Sequence, residues 1–321
     1  MSLKRAIECI NKNKVFLITA HQNLEGDALG SEIAFYRLLR KKGKAAFIVN
    51  QDSAPKEYAF LKDMRIISRY HPKMKVNFDV LVMLDCSDKS RSGRVCNLIR
   101  PGKPILNIDH HISNTKFGDI NWVLPDASSA AEMVYRLYKA MRVKIDLDTA
   151  QALYTGILTD TGSFRYRNTN AFTHQMAAQL LKRKLNTREI YKNIYESVSF
   201  SRMKLLSKIL LSLQKDASGK IISFQIKRES LRGCKDGFDL SENILGFGRL
   251  IRGCEVCVLF KQQPGKAGEI RVNFRSQGEV DVNRVAKSFG GGGHNTASGC
   301  TIQGELASVK KIVIKKIKQQ L

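Results

Sequence analysis

The sequence predicts an α/β protein in two parts: a doubly wound, mostly parallel sheet domain, then a smaller C-terminal α/β domain with a mixed sheet. Three observations carry this. The chain has 321 residues, and a domain usually takes about 100–200. Through the first half, short apolar runs alternate with amphipathic segments, as strands and their covering helices do in a parallel sheet. From Lys220 onward the pattern becomes strand-like with glycine, which marks a second domain.

The first strand is VFLIT at 15–19, followed by a helical pattern over 31–40 and a second apolar run, AAFIV, at 45–49. VLVML at 80–84 and PILNI at 104–108 are apolar on both faces, as central parallel strands buried under helices must be. Ser129 and Glu132 have capping-box spacing, and Met133, Val134, Leu137, Tyr138 and Met141 follow at the 3.6-residue period of a helix. Residues 172–213 are helix-rich and lack proline. IISFQI at 221–226 and IRVNF at 270–274 predict strands, and Leu306, Val309, Val313 and Ile317 form the apolar stripe of a closing helix with lysines on its other side.

Hydrophobic residues make up 43% of the chain and charged residues 26%. No run approaches the ~18 apolar residues of a membrane span, so a collagen, a disordered chain and a membrane-spanning helix are excluded. Lys4, Arg5, Lys12 and Lys14 precede an apolar stretch too short for a signal peptide, ending at His21, so the protein is expected to stay in the cytoplasm. The cysteines at 9, 86, 96, 234, 254, 257 and 300 are odd in number and scattered, which fits a reducing compartment rather than a disulfide framework. Cys254 and Cys257 have C-x-x-C spacing without a second pair, and their strand-like surroundings predict core packing over zinc. Lys and Arg number 54 against 29 Asp and Glu, a net charge of +25 that attracts polyanions such as nucleic acid, unless the basic clusters are simply solvated helix faces.

Three predicted strands run into possible metal ligands: the first into His21, Glu25 and Asp27, the 80–84 strand into Asp85, and the 104–108 strand into Asp109, His110 and His111. Sites in open α/β sheets form beyond the carboxyl ends of strands, so these groups can converge, with Asp160 as a fourth contributor. Each alone has a plain explanation as a cap or a polar residue. Together they imply cations, because clustered buried carboxylates are costly without them. A donor set of carboxylates and imidazoles without thiolate suits Mn²⁺ or Mg²⁺. One carboxylate shared by two ions, here Asp85, gives a pair roughly 3.5–4 Å apart, the arrangement that serves phosphoester hydrolysis.

The runs His21-x3-Glu25-x-Asp27-x2-Gly30-Ser31, Leu84-Asp85, Asp109-His110-His111 and Thr159-Asp160-Thr161-Gly162 resemble, in order and spacing, the four motifs of the DHH phosphoesterases. Gly290, Gly291, Gly292, Gly293 and His294 resemble the glycine-rich signature of the DHH-associated C-terminal domain. The resemblance reaches from His21 to His294 and is greatest to the nanoRNase and 3′-phosphoadenosine 5′-phosphate (pAp) phosphatase group. It implies a catalytic domain over 1–190, a helical linker over 191–215 and a substrate-binding domain over 216–321, with the active site in the cleft between domains. It implies two Mn²⁺ ions, replaceable by Mg²⁺ or Co²⁺. His21, Glu25 and Asp85 would hold one, and Asp27, Asp85, His110 and Asp160 the other. His111 would face the substrate phosphate and Asp109 would orient a neighbouring histidine. Arg275, Gly291, Gly292, Gly293 and His294 would bind substrate. One departure stands out: the family usually has Pro-Asp where this chain has Leu24-Glu25, and the longer side chain carries its carboxylate about 1.5 Å farther out.

The function so implied is hydrolysis of short oligoribonucleotides to mononucleotides, and of pAp to AMP, by a two-metal attack of hydroxide on phosphorus. A phosphodiesterase for cyclic or linear dinucleotides would use the same residues. A catalytically weak nucleic-acid-binding protein is the reading from another class, motivated by the charge and by Glu25. No membrane partner is expected, and a homodimer is compatible with the sequence.

Overall fold

Parallel pairing of six strands organises the N-terminal half of the computed structural model, which describes residues 3–231, 241–263, 265 and 268–321. β1 (Val15–Thr19) lies between β2 (Ala45–Asn50) and β4 (Val80–Leu84). β3 (Ile67–Arg69) extends the sheet beyond β2, and β5 (Ile105–Asp109) and β6 (Ile120–Val123) extend it beyond β4. The order β3-β2-β1-β4-β5-β6 reverses between β1 and β4, which makes the carboxyl ends of those strands the switch point where such sheets bind ligands. Every position of β4 and β5 is buried. Along β1, Phe16 and Ile18 enter the larger core while Leu17 faces a second core containing Phe78 and Val95 on the opposite side.

Around this sheet lie α1 (Leu3–Lys12), α2 (Gly26–Lys41), α3 (Ala130–Ala140), α4 (Leu147–Asp160), α5 (Ala171–Leu181) and α6 (Thr187–Tyr195). α2 starts five residues before the helical pattern of the sequence. Its first ten residues, Gly26 through Phe35, are all buried, so no polar face exists to reveal the period. The capping box expected at α3 forms by half: Ser129 accepts from the Glu132 N–H, but the Glu132 carboxylate turns to Ser128 and Arg136 instead of reaching back to Ser129. α3 also ends at Ala140, leaving Met141 as its C-cap residue. Strands β3 and β6 gave no sequence signal, the first because only one of its three residues is apolar.

The chain divides into compact units at Met1–Ser197 and Val198–Leu321. The second contains α7 (Phe200–Leu210), β7 (Gln214–Lys215), β8 (Ile221–Ile226), α8 (Ser241–Arg249), β9 (Val256–Gln262), β10 (Glu269–Ser276), α9 (Val282–Lys287), β11 (Gly292–His294), β12 (Ala297–Gln303) and α10 (Leu306–Lys318). Its sheet, ordered β11-β12-β10-β9-β8-β7, is mixed, with β8 and β9 parallel and the other neighbours antiparallel. Val309, Val313 and Ile317 of α10 pack on one face, and Leu205, Leu206 and Ile209 of α7 on the other. Cys254 and Cys257 are buried in that second face, and the Glu255 carboxylate between them accepts from the N–H groups of Gly278 and Val280. Cys234 lies outside the described residues.

Helices α2 and α4 touch where Gly30 meets the Ala152 carbonyl: a β-carbon there would lie 2.3 Å from that oxygen. Gly156 of α4 is equally confined, 2.4 Å from Ala131 Cβ and 2.8 Å from Asp27 Oδ1 by the same construction. Gly30→Ala is expected to lower the unfolding free energy by about 1–3 kcal/mol in urea titrations. Gly246→Ala, whose methyl would meet nothing within 4 Å, should leave stability unchanged or raise it. Equal stability of the two variants would show that α2 and α4 separate without cost.

Candidate metal centre

The carboxyl ends of β1, β4 and β5 place His21, Asp85 and Asp109-His110-His111 side by side, and the turn after β1 adds Glu25 and Asp27 at the start of α2. Asp160 is the last residue of α4. Asp85 takes a left-handed backbone at φ 54°, a conformation that costs a non-glycine residue of order 1 kcal/mol and is concentrated at functional sites.

The side chains gather in three groups: His21, Glu25 and Asp85; Asp27, His110 and Asp160; and Asp85, His110 and His111. Within each, one donor atom per residue lies within 4.8 Å of the others. Asp85 joins the groups, with Oδ2 3.3 Å from His21 Nε2 and Oδ1 3.4 Å from His110 Nε2. His110 Nε2 lies 3.6 Å from Asp160 Oδ2 and 3.9 Å from Asp27 Oδ2, and His21 Nε2 lies 3.8 Å from Glu25 Oε1. Asp109 is fully buried and accepts from His111 Nδ1 at 2.7 Å and from Asn114 Nδ2 at 2.6 Å. The structure thus brings together every first-domain residue that the sequence singled out.

The donors fit divalent cations. His21 Nδ1 donates to the Gln22 carbonyl at 2.6 Å and His110 Nδ1 to the Ala127 carbonyl at 3.3 Å, which leaves both Nε2 lone pairs turned toward Asp85. Asp85 Oδ1 is buried without a well-directed hydrogen bond, the state expected of an oxygen built to bind an ion. Without one, the charges conflict. Burial first, then the charges of Asp85 and Asp160, drives Asp27 well above the usual carboxylate range, although it accepts from the Ala130 and Ala131 N–H groups. Burial also pushes Asp160 up to about 7, with His110 opposing and Asp85 adding to the rise. Asp85 moves the other way: burial disfavours its charge, but the neighbouring His110 and His21 rings, when protonated, hold it well below the usual range. Burial resists the charging of His21, which Asp85 nonetheless pushes up to about 9. The cluster therefore holds protons where cations would relieve the same repulsion.

Several supporting residues carried no signal in the sequence. Asn114 Nδ2 bridges Asp109 to Asn107 Oδ1. Asn168 Nδ2 donates to Asp160 through both its carbonyl and Oδ2, each at 3.1 Å, and to the Ser128 carbonyl at 2.8 Å. Asn50, the last residue of β2, accepts from the Ala20 N–H next to His21 and donates to the buried Glu32. An asparagine after a strand or in a loop is too common for its position to announce such a role.

In the second unit, Arg275 lies on β10, with Nη1 donating to the Phe274 carbonyl, and His294 ends β11. Gly292 and Gly293 pair with β12, and a β-carbon on Gly293, at φ 142°, would meet the Ala297 oxygen at 2.5 Å. Gly291 immediately precedes β11. The hairpin itself thus accounts for a glycine at 293.

Comparison with known proteins agrees with this centre. The DHH family, N-terminal domain, matches residues 15–157, and the DHHA1 domain matches residues 239–321. The bifunctional oligoribonuclease and PAP phosphatase NrnA of Thermus thermophilus is 30% identical over 95% of this chain and 89% of its own length. The protein of the same name from Bacillus subtilis is 29% identical, with 92% of each chain covered. Among solved structures, an exopolyphosphatase-related protein from Bacteroides fragilis superposes with a TM-score of 0.91 at 24% identity, over 99% of this chain and 95% of the other, and shares the fold. Motifs, fold and relatives together make this chain a member of the DHH family, with a DHHA1 domain following its DHH domain.

Proposed function

We propose that this protein is a phosphoesterase that uses two divalent cations, Mn²⁺ foremost, to hydrolyse oligoribonucleotides of a few residues to mononucleotides and pAp to AMP. The observation that carries the reading is the pair of ligand groups joined through Asp85, in a chain whose relatives are oligoribonucleases and PAP phosphatases. His21, Glu25 and Asp85 would hold one ion, and Asp27, His110 and Asp160, with Asp85, the other. Ions bound there would supply Lewis acidity toward water and the phosphorus centre. The protein's own part is to hold lone pairs and protons in place. Gln22 and Ala127 carbonyls keep the protons of His21 and His110 on Nδ1.

His111 is the proton donor of this mechanism. Its Nδ1 is tied to Asp109, so Nε2 is the atom offered to the substrate, and its side chain is 25% exposed against 12% for His110. Burial opposes charging, but Asp109 and Asp85 outweigh it and raise the ring above the usual imidazole value. A protonated His111 donates from Nε2 to the substrate phosphate and delivers that proton to the leaving oxygen as the ester bond breaks. In the second unit, Arg275 and His294 add charged donors for substrate phosphates.

Purified protein incubated with pAp, a 5′-labelled ribonucleotide ladder and a cyclic dinucleotide is expected to release mononucleotides chiefly from the shortest RNAs and AMP from pAp, in both cases only with divalent metal. Cleavage of the cyclic substrate alone would move the function to dinucleotide signalling, and tight binding of long RNA without product would favour a binding protein. Asp85→Asn is expected to abolish turnover. His111→Ala should lower kcat by about 10²–10⁴-fold while metal binding persists. Arg275→Ala and His294→Ala should raise KM on dinucleotides; an unchanged KM in both would remove them from the substrate site.

Metal affinity should also depend on pH. His21 must lose a proton to act as a ligand, and so must Asp160, and in the ion-free protein their values lie at about 9 and about 7. Below each value the proton competes with the metal, so Mn²⁺ affinity should fall as pH drops from 9 toward 6, with net proton release measured by calorimetry in buffers of differing ionisation enthalpy. A pH-independent affinity over that range would contradict the ligand assignment.

A further inference from the structure

The second ligand group is fixed by one short piece of backbone. The His110 Nδ1 proton goes to the Ala127 carbonyl, Asp27 accepts from the N–H groups of Ala130 and Ala131 at 2.6 and 2.8 Å, and Asp160 is linked to the Ser128 carbonyl by the Asn168 amide. All three ligands therefore refer to residues 127–131, the lead-in and first turn of α3. This piece is itself held from behind: the buried Glu132 carboxylate accepts from Ser128 N–H at 2.9 Å and Oγ at 2.8 Å, and Arg136 donates to its other oxygen. Arg136 stacks over the Phe172 ring at 3.8 Å.

None of these hydrogen bonds involves His21 or Asp85. Support for their group comes from the opposite side, where Asn50 Oδ1 accepts from Ala20 N–H at 3.0 Å and Thr19 Oγ1 at 3.2 Å, and Asn50 Nδ2 donates to Glu32.

We infer that the two metal pockets have separate supports, residues 127–131 with Asn168 for the Asp27, His110 and Asp160 pocket, and Asn50 for the His21 and Glu25 pocket, so that each ion's affinity can be altered without the other's. Asn168 is the positioning residue of the first of these. Its two amide N–H groups, shared among the Ser128 carbonyl, the Asp160 carbonyl and Asp160 Oδ2, tie Asp160 to that backbone and hold its carboxylate beside Asp27 and His110. The inference rests on the metal assignment above but not on any substrate.

The test is a titration of ion-free full-length protein with Mn²⁺, followed by calorimetry and by the electron paramagnetic resonance signal of unbound Mn²⁺. The wild type should bind two ions. Asn168→Leu, close to isosteric, should weaken one binding step by about 10–100-fold and leave the other within about 2-fold; Asn50→Leu should do the reverse. Asn168→Gln, which keeps the amide on a longer arm, should recover part of the loss, a rescue that a merely structural role does not give. Thermal melts of ion-free protein identify any variant that does not fold, and Glu132→Gln, which keeps an acceptor for Ser128 but loses the charge paired with Arg136, then serves as the second probe of the same step. Equal weakening of both steps in a folded variant, no change in either, or a wild-type stoichiometry of one would overturn the inference. Failure of the wild type to hydrolyse oligonucleotides, with the binding changes as expected, would overturn the proposed function and leave this inference standing.

Discussion

Four carboxylates withdrawn from water in one small volume are the constraint to which the first unit is built. Asp27, Asp85 and Asp109 are buried, and Asp160 is mostly so. Removing an ion from water costs several kcal/mol even after the protein relaxes, and like charges add to that. Each carboxylate has its own compensation: backbone N–H groups for Asp27, His111 and Asn114 for Asp109, imidazoles for Asp85 and Asp160. The compensation is unequal. Asp109 is satisfied by donors on both oxygens, which suits a residue that orients another, whereas Asp85 keeps a buried oxygen without a directed donor, which suits one that binds an ion.

Holding such a cluster requires a scaffold that does not yield, because a carboxylate free to swing would move away from its neighbours. The sheet provides part of this, since β1, β4 and β5 end together at the switch point. Helix packing provides the rest. α2 and α4 approach closely enough at Gly30 and Gly156 for a methyl group to collide with backbone or with Asp27 itself. The left-handed residue at Asp85 shows the same priority: local backbone energy is spent on the direction of one carboxylate.

Much of the centre could be read from the sequence because its candidate ligands follow strands whose apolar runs are unmistakable. His21, Asp85, Asp109 and His110 each stand within two residues of such a run, and the parallel fold brings strand ends together whatever their separation in the chain. The helix that carries Asp27 was harder to delimit, because full burial of its first ten residues removes the amphipathic signal. The supports were not legible at all. Ala127 and Ser128 act through carbonyls, and Ala130 and Ala131 through N–H groups, which every residue type but proline possesses. Glu132 illustrates the limit from the other side: its spacing from Ser129 suggested a cap, but a buried carboxylate is drawn to Arg136 and Ser128, which satisfy it more fully than one N–H would.

The same geometry explains why a departure from the usual motif falls at residue 25 rather than residue 27. Glu25 is the N-cap residue of α2 with a side chain 62% exposed, so an added methylene can be taken up by rotation into solvent while the carboxylate still reaches toward His21. Asp27 has no such freedom. Its side chain is 1% exposed, both oxygens accept from the start of α3, and the α-carbon of Gly156 packs against Oδ1 closely enough that a β-carbon there would lie 2.8 Å away. A longer acid at 27 would have to break both hydrogen bonds or part α3 from α4, each at a cost of the order of 1–3 kcal/mol. The exposed position of the candidate metal centre is thus where the chain can vary side-chain length, and the buried position is where the fold itself dictates an aspartate.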